Sequence, residues 1–179
     1  MWSMKKAVSP ALSLALTLLL ALLCGCGPYS FSPSVSGDIK TISVPLLENR
    51  TNEFGISEAL TQGIIDGFIT DNTLKISTRE KADAVLVGTI IEYDRKPYTF
   101  DQQENVKEYI VRIFIQAYLE KSKDKERVWE VERMEGWGTF RIAGDPNNPD
   151  LQPETEDIAR ERAIAKLAQD IINRTVKSW

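Results

Sequence analysis

Apolar residues alternate with polar ones from Ile39, where Lys40, Ile42, Val44 and Leu46 fall on one face at period two. This predicts a first strand that Pro45 terminates, because proline has no N–H to give a ladder. The period then changes to four, with Ile56, Leu60, Ile64 and Phe68 forming one stripe of a helix between Phe54 and Thr70. Gly63 and Gly67 lie beside that stripe, and since each costs a helix about 1 kcal/mol relative to alanine, they read either as close approach to a sheet or as glycines tolerated in a packed helix. Asp71 and Asn72 end the helix, and a short strand follows at Leu74 to Ser77.

Ala84 to Tyr93 is a continuous β-branched run bounded by Asp94-Arg95-Lys96-Pro97, the mark of a central strand. The clearest alternation comes next, with Tyr109, Val111, Ile113, Ile115, Ala117 and Leu119 apolar and Glu108, Arg112, Gln116 and Glu120 interleaved. Lys121 to Glu126 turns this strand into another, Arg127 to Phe140, on which Trp129 and Trp137 share the odd-numbered face. After a loop rich in Asp, Asn and Pro, Gly144 to Pro153, an amphipathic helix opens on Glu154, Glu156 and Asp157 and closes near Arg174 and Lys177, charges that complement its dipole. The order predicts an α+β fold: a two-layer α/β sandwich with a mixed four- to five-stranded sheet and two helices packed on one face.

Ahead of this domain, Lys5 and Lys6 precede an apolar run from Ala11 through Leu23 that is too short to span a membrane as a stable helix. It ends Leu23-Cys24-Gly25-Cys26. Leu three before and Gly one before the second cysteine resemble the bacterial lipobox, with Cys26 as the acylated residue. Cys24 follows the bulky Leu23 and leaves with the signal. The division expected is 1–25 signal peptide, 26–37 lipidated tether, and 38–179 a single domain. Gly27 is not the aspartate that commonly retains lipoproteins in the inner membrane, which favours the outer membrane.

Composition narrows the chemistry. The chain has 179 residues, no histidine and two cysteines, so Ser-His and Cys-His triads and histidine-ligated metals are excluded. Cleavage before Cys26 leaves 154 residues with 20 basic against 26 acidic side chains, and the one remaining cysteine is acylated. No disulfide forms within such a chain, and its net negative charge opposes nucleic-acid binding. No glycine-rich phosphate loop, zinc spacing or nucleophile elbow is present. The carboxylate groups Glu130, Glu132, Glu135 and Glu154, Glu156, Asp157 read as solvated faces and dipole complements, so no enzyme, cofactor or metal site is expected. At the turn between the two long strands, Lys121, Lys123, Lys125 and Arg127 alternate with Ser122, Asp124 and Glu126. Those four cations are the candidates for binding anionic lipid phosphates.

The segments Cys26-Gly27 with Tyr29-Ser30-Phe31, then Ile39 to Thr51, then Ala82-Asp83-Ala84-Val85-Leu86-Val87-Gly88-Thr89-Ile90 resemble the lipopolysaccharide-assembly lipoprotein family LptE. The resemblance extends through the Trp129-Glu130 strand and the closing helix. It implies a non-enzymatic outer-membrane lipoprotein that plugs and supports the LptD β-barrel, assists lipopolysaccharide assembly and binds lipopolysaccharide directly. The opening Ile-x-x-Ile-x-Val-Pro and the Ala-Asp-Ala-Val-Leu-Val-Gly strand also resemble curli-secretion and penicillin-binding-protein-activator lipoproteins, which implies the alternative of an oligomeric channel or a synthase activator.

Overall fold

The computed structural model describes residues 39–144, 148 and 151–177, all within the unit Val35–Trp179. The signal, the tether and Cys26 lie outside the described residues. Eight elements follow one another: β1 (Thr41–Ser43), β2 (Glu48–Asn49), α1 (Ile56–Asp71), β3 (Lys75–Ile76), β4 (Ala84–Phe100), β5 (Val106–Lys121), β6 (Arg127–Arg141) and α2 (Glu156–Lys177). One mixed sheet has the order β3-β1-β4-β5-β6, and β2 also pairs with β4. β1 is parallel to both β3 and β4, whereas β4, β5 and β6 form an antiparallel meander. Both helices cover one face, giving the expected two-layer α+β sandwich.

The α1 stripe behaves as its period predicts: Ile56, Leu60, Ile64 and Phe68 are fully buried. On α2 the buried set is Ala159, Ala163, Ile164, Leu167, Ala168, Ile171, Ile172 and Thr175. β5 supplies Val111, Ile113, Ile115, Ala117 and Leu119 to the same core. At about 25 cal/mol per Å² of apolar area, burial on this scale dominates the forces holding the domain.

Three local expectations are corrected. The first strand does not keep its phase through Leu46: β1 stops at Ser43, the chain resumes as β2 along the same strand β4, and Leu47 is buried while Leu46 is 63% exposed. Pro45 interrupts the ladder, and the slip exchanges the two leucines. The central strand does not end at Asp94 but runs on to Phe100, with Pro97 paired opposite Tyr109. β2 reaches only to the level of Ile90, so β4 is an edge there, where a missing N–H is tolerated. Finally, Gly63 and Gly67 face a helix rather than the sheet: a Cβ would lie 3.2 Å from Ile164 Cγ2 at Gly63 and 2.2 Å from Ile172 Cδ1 at Gly67.

The closest helix–sheet approach lies elsewhere. A Cβ at Gly136 would sit 2.3 Å from the Ala163 carbonyl oxygen, and one at Gly138 2.2 Å from that of Ala159. Two glycines at strand period thus meet two alanines at helical period, and α2 rests directly on the backbone of β6. Its arginines reach over the free edge of that strand. Arg162 Nη1 donates to the Thr139 carbonyl at 2.7 Å, and Arg174 Nη1 to that of Glu130 at 3.4 Å. Such contacts occupy groups that would otherwise template pairing with another chain.

Candidate functional site

The chain enters the domain at Ile39, beside the β5–β6 turn. Asp83, just ahead of β4, joins the two: its Oδ2 accepts from Lys40 N–H and Thr41 N–H, both at 2.9 Å, and from Thr41 Oγ1 at 2.8 Å. Its carbonyl accepts Ser122 N–H at 2.8 Å. Ile39, Ala82, Asp83 and Lys121 to Asp124 line a cleft of about 390 Å³. Hydrogen bonds from the Lys40 backbone and the Thr41 hydroxyl hold the Asp83 carboxyl below its usual range.

The four basic candidates stand together on this turn, closed by Lys121 N–H to Glu126 O at 2.9 Å and Lys125 N–H to Lys121 O at 3.1 Å. Lys125 takes the left-handed conformation, φ 62°. Three of the four are ion-paired: Lys121 with Glu126 at 2.6 Å, Lys125 with Glu120 at 3.6 Å, and Arg127 with Glu130. Lys123 is exposed and has no ion pair among the described residues. A sequence shows such charges alternating along the turn, but not which carboxylate each cation meets across it.

On the sheet face away from the helices, sequence reasoning missed a row of shielded aromatics. Phe114 and Tyr118 project there from β5 together with Ile110. Arg133 lies 3.7 Å from the Phe114 ring centroid and pairs with Glu92 at 2.8 Å. Arg127 lies 4.2 Å over Tyr118 and pairs with Glu130. Each ring is thus roofed by a guanidinium that a carboxylate holds in place. The signal was present as Ile110, Phe114 and Tyr118 at spacing four on the polar face of β5.

Trp129 and Trp137 do not share a face. β6 carries an extra residue between Val131 and Met134, where Ile115 pairs with Met134 but Ala117 pairs with Val131. This bulge reverses the parity of the strand, so Trp129 is buried and Trp137 is 45% exposed.

The acidic opening of α2 is a clamp. Glu154 takes Arg162 in a bidentate pair at 2.6 and 3.1 Å. Glu156 accepts from the Tyr93 hydroxyl at 2.7 Å and from Arg95 at 2.9 Å, and Asp157 pairs with Arg160 at 3.2 Å. Burial raises the Tyr93 hydroxyl to about 12, the Arg160 guanidinium opposing and Glu156 adding to the rise. Burial also pushes Glu156 up, but Tyr93 and Arg95 outweigh it and leave it below the usual range; Arg162 does the same for Glu154.

Asp83, Glu154 and Glu156 therefore bind protons less tightly folded than unfolded. Their stabilisation is complete above the ordinary carboxyl range, near 4, and is lost as pH falls through their lower folded values. The urea midpoint is expected to be level from pH 8 to 6 and to drop below about pH 4. Asp83→Asn is expected to lower the midpoint at pH 7 and to make its acid dependence shallower, measured by circular dichroism.

Among the described residues, no helix is long and apolar enough to cross a membrane. The LptE family model, described as "Lipopolysaccharide-assembly", matches residues 39–175. No curated protein matches the sequence. Among solved structures, a protein from Xanthomonas campestris is 10% identical, with 77% of this chain and 84% of that one covered and a TM-score of 0.51. A minor lipoprotein from Acinetobacter baumannii is 14% identical, with 76% and 92% covered and a TM-score of 0.44. A hypothetical protein from Chlamydia trachomatis is 8% identical, with 75% and 96% covered and a TM-score of 0.49. At 10% identity, the likeness to the Xanthomonas protein is one of fold.

Proposed function

The chain belongs to the LptE lipopolysaccharide-assembly family, and on that premise we propose that it is an outer-membrane lipoprotein, anchored through Cys26, that plugs and supports an LptD-type β-barrel. It works by binding and positioning rather than by catalysis. The observation that carries this reading is the family match, which runs from the first described residue almost to the end of α2. The open sheet face supports it: a surface whose rings are roofed by paired arginines suits a wet, polar lumen better than a dry interface.

Direct contact with lipopolysaccharide is assigned to Lys121, Lys123, Lys125 and Arg127, with Lys123, which has no ion pair among the described residues, making the first approach. For the other three, a lipid phosphate has to displace Glu126, Glu120 or Glu130, an exchange of one charge-assisted contact for another. Reversing all four charges is expected to weaken lipopolysaccharide binding by at least tenfold while leaving the melting temperature within a few degrees, since exposed pairs contribute at most about 1 kcal/mol each. Unchanged binding would remove the turn from the site.

The partner is tested by affinity purification of the tagged lipoprotein from detergent-solubilised outer membrane. One large β-barrel at equal stoichiometry is the expected result. A homo-oligomeric ring or a cell-wall synthase in its place would overturn the plug assignment.

A further inference from the structure

The end of the domain where the chain enters carries a second set of cations, separate from the paired ones on the turn. Lys40 precedes β1, and Lys75 opens β3 in register with Thr41. Arg79 and Lys81 lie on the segment 77–83 that leads into Asp83, and Lys123 lies one residue beyond Ser122, which Asp83 binds. All five are exposed. None has a carboxylate at ion-pair distance among the described residues, in contrast to Lys121, Lys125 and Arg127.

Three carboxylates lie among these five cations and stay charged, each held by hydrogen bonds. Asp83 is held by the start of β1, Glu80 by its own backbone and the Thr78 hydroxyl, and Asp124 by the Glu126 N–H at 3.1 Å. The opposite end of the sheet, beyond Pro97, turns through Asp101 and Glu104, and β4 alone sets the two ends about 50 Å apart at roughly 3.3 Å per residue. Among the described residues, the end where the chain enters thus carries more cations than carboxylates. Ile39 lies thirteen positions after Cys26. A segment of that length spans about 45 Å at most, which bounds the distance between the entry end and a lipid on Cys26.

We infer that this end, through Lys40, Lys75, Arg79 and Lys81, rests on the anionic phospholipid headgroups of the leaflet that carries the Cys26 lipid. Several cations on one face, within a Debye length of a negative surface, are the physical requirement for such docking. The inference rests on Cys26 being the anchor, and it fixes an orientation: entry end down, Asp101–Asn105 turn away from the bilayer.

The test uses the full acylated protein on vesicles of phosphatidylcholine alone and of phosphatidylcholine mixed with phosphatidylglycerol, followed by hydrogen-exchange mass spectrometry. Exchange in 78–83 and 121–126 is expected to slow several-fold on the anionic vesicles at low salt and to recover at high salt. The 101–105 turn is expected to be unaffected. Lys40→Glu, Lys75→Glu, Arg79→Glu and Lys81→Glu together should abolish the slowing, and the corresponding glutamine set should reduce it. Equal exchange on both vesicles, slowing at 101–105, or the same slowing with inorganic phosphate and no vesicle would each overturn the inference. Failure to float with the neutral vesicles would instead overturn the Cys26 anchor. The cationic end is then still expected to bring the chain up with the anionic vesicles, and its failure to do so would overturn the docking face as well.

Discussion

Gly138→Val is expected to destabilise the domain by about 3 kcal/mol, lowering its melting temperature by about 10 °C, and Gly136→Ala by somewhat less. The obstacle at both positions is helix backbone, the carbonyls of Ala159 and Ala163, and backbone cannot rotate aside as a side chain can. α2 must lift from β6, and in doing so it loosens Leu167, whose Cγ would stand 2.5 Å from the new Cβ at 136. Lifting the helix also pulls Arg162 from the Thr139 carbonyl, exposing the strand edge to association with other chains. Gly63→Ala provides the contrast. There the nearest atom is the Ile164 methyl at 3.2 Å, and the gain in helix propensity, about 1 kcal/mol, offsets the crowding. Thermal melts of the three variants are expected to fall in the order Gly63→Ala, Gly136→Ala, Gly138→Val, and aggregation on heating should follow the same order.

Cys26→Ser is expected to abolish metabolic labelling with palmitate. Cys24→Ala is expected to leave labelling unchanged, as a residue ahead of the proposed cleavage site should. Continued labelling of the Cys26→Ser chain would place the lipid elsewhere.

Parts of this architecture are legible in the sequence because a single physical cause fixes them. One-sided burial at period four marks α1 and α2, and strict alternation marks β5, whichever neighbours they have. What escapes is set by partners distant in the chain. The exchange of Leu46 for Leu47 depends on β2 rejoining β4 past Pro45. The extension of β4 through Pro97 depends on how far β2 reaches. The outward turn of Trp137 depends on a bulge between Val131 and Met134 that no residue type announces. At the candidate site the same division holds: the four cations of the β5–β6 turn are plain in the sequence, whereas their pairing with Glu120, Glu126 and Glu130 arises only once the turn closes.

The place of β1 in the sheet has a consequence for the order in which the chain assembles. β4, β5 and β6 follow one another through short turns and can pair as soon as they are made. β1 lies between β3 and β4, joining Thr41 to Lys75 and Ile42 to Ala84, partners 34 and 42 residues further on, so its loop-closure entropy is met late. The strand nearest the N-terminus is thus the keystone of the parallel half: until it docks on β4, β3 has no strand to pair with and the sheet ends at the meander.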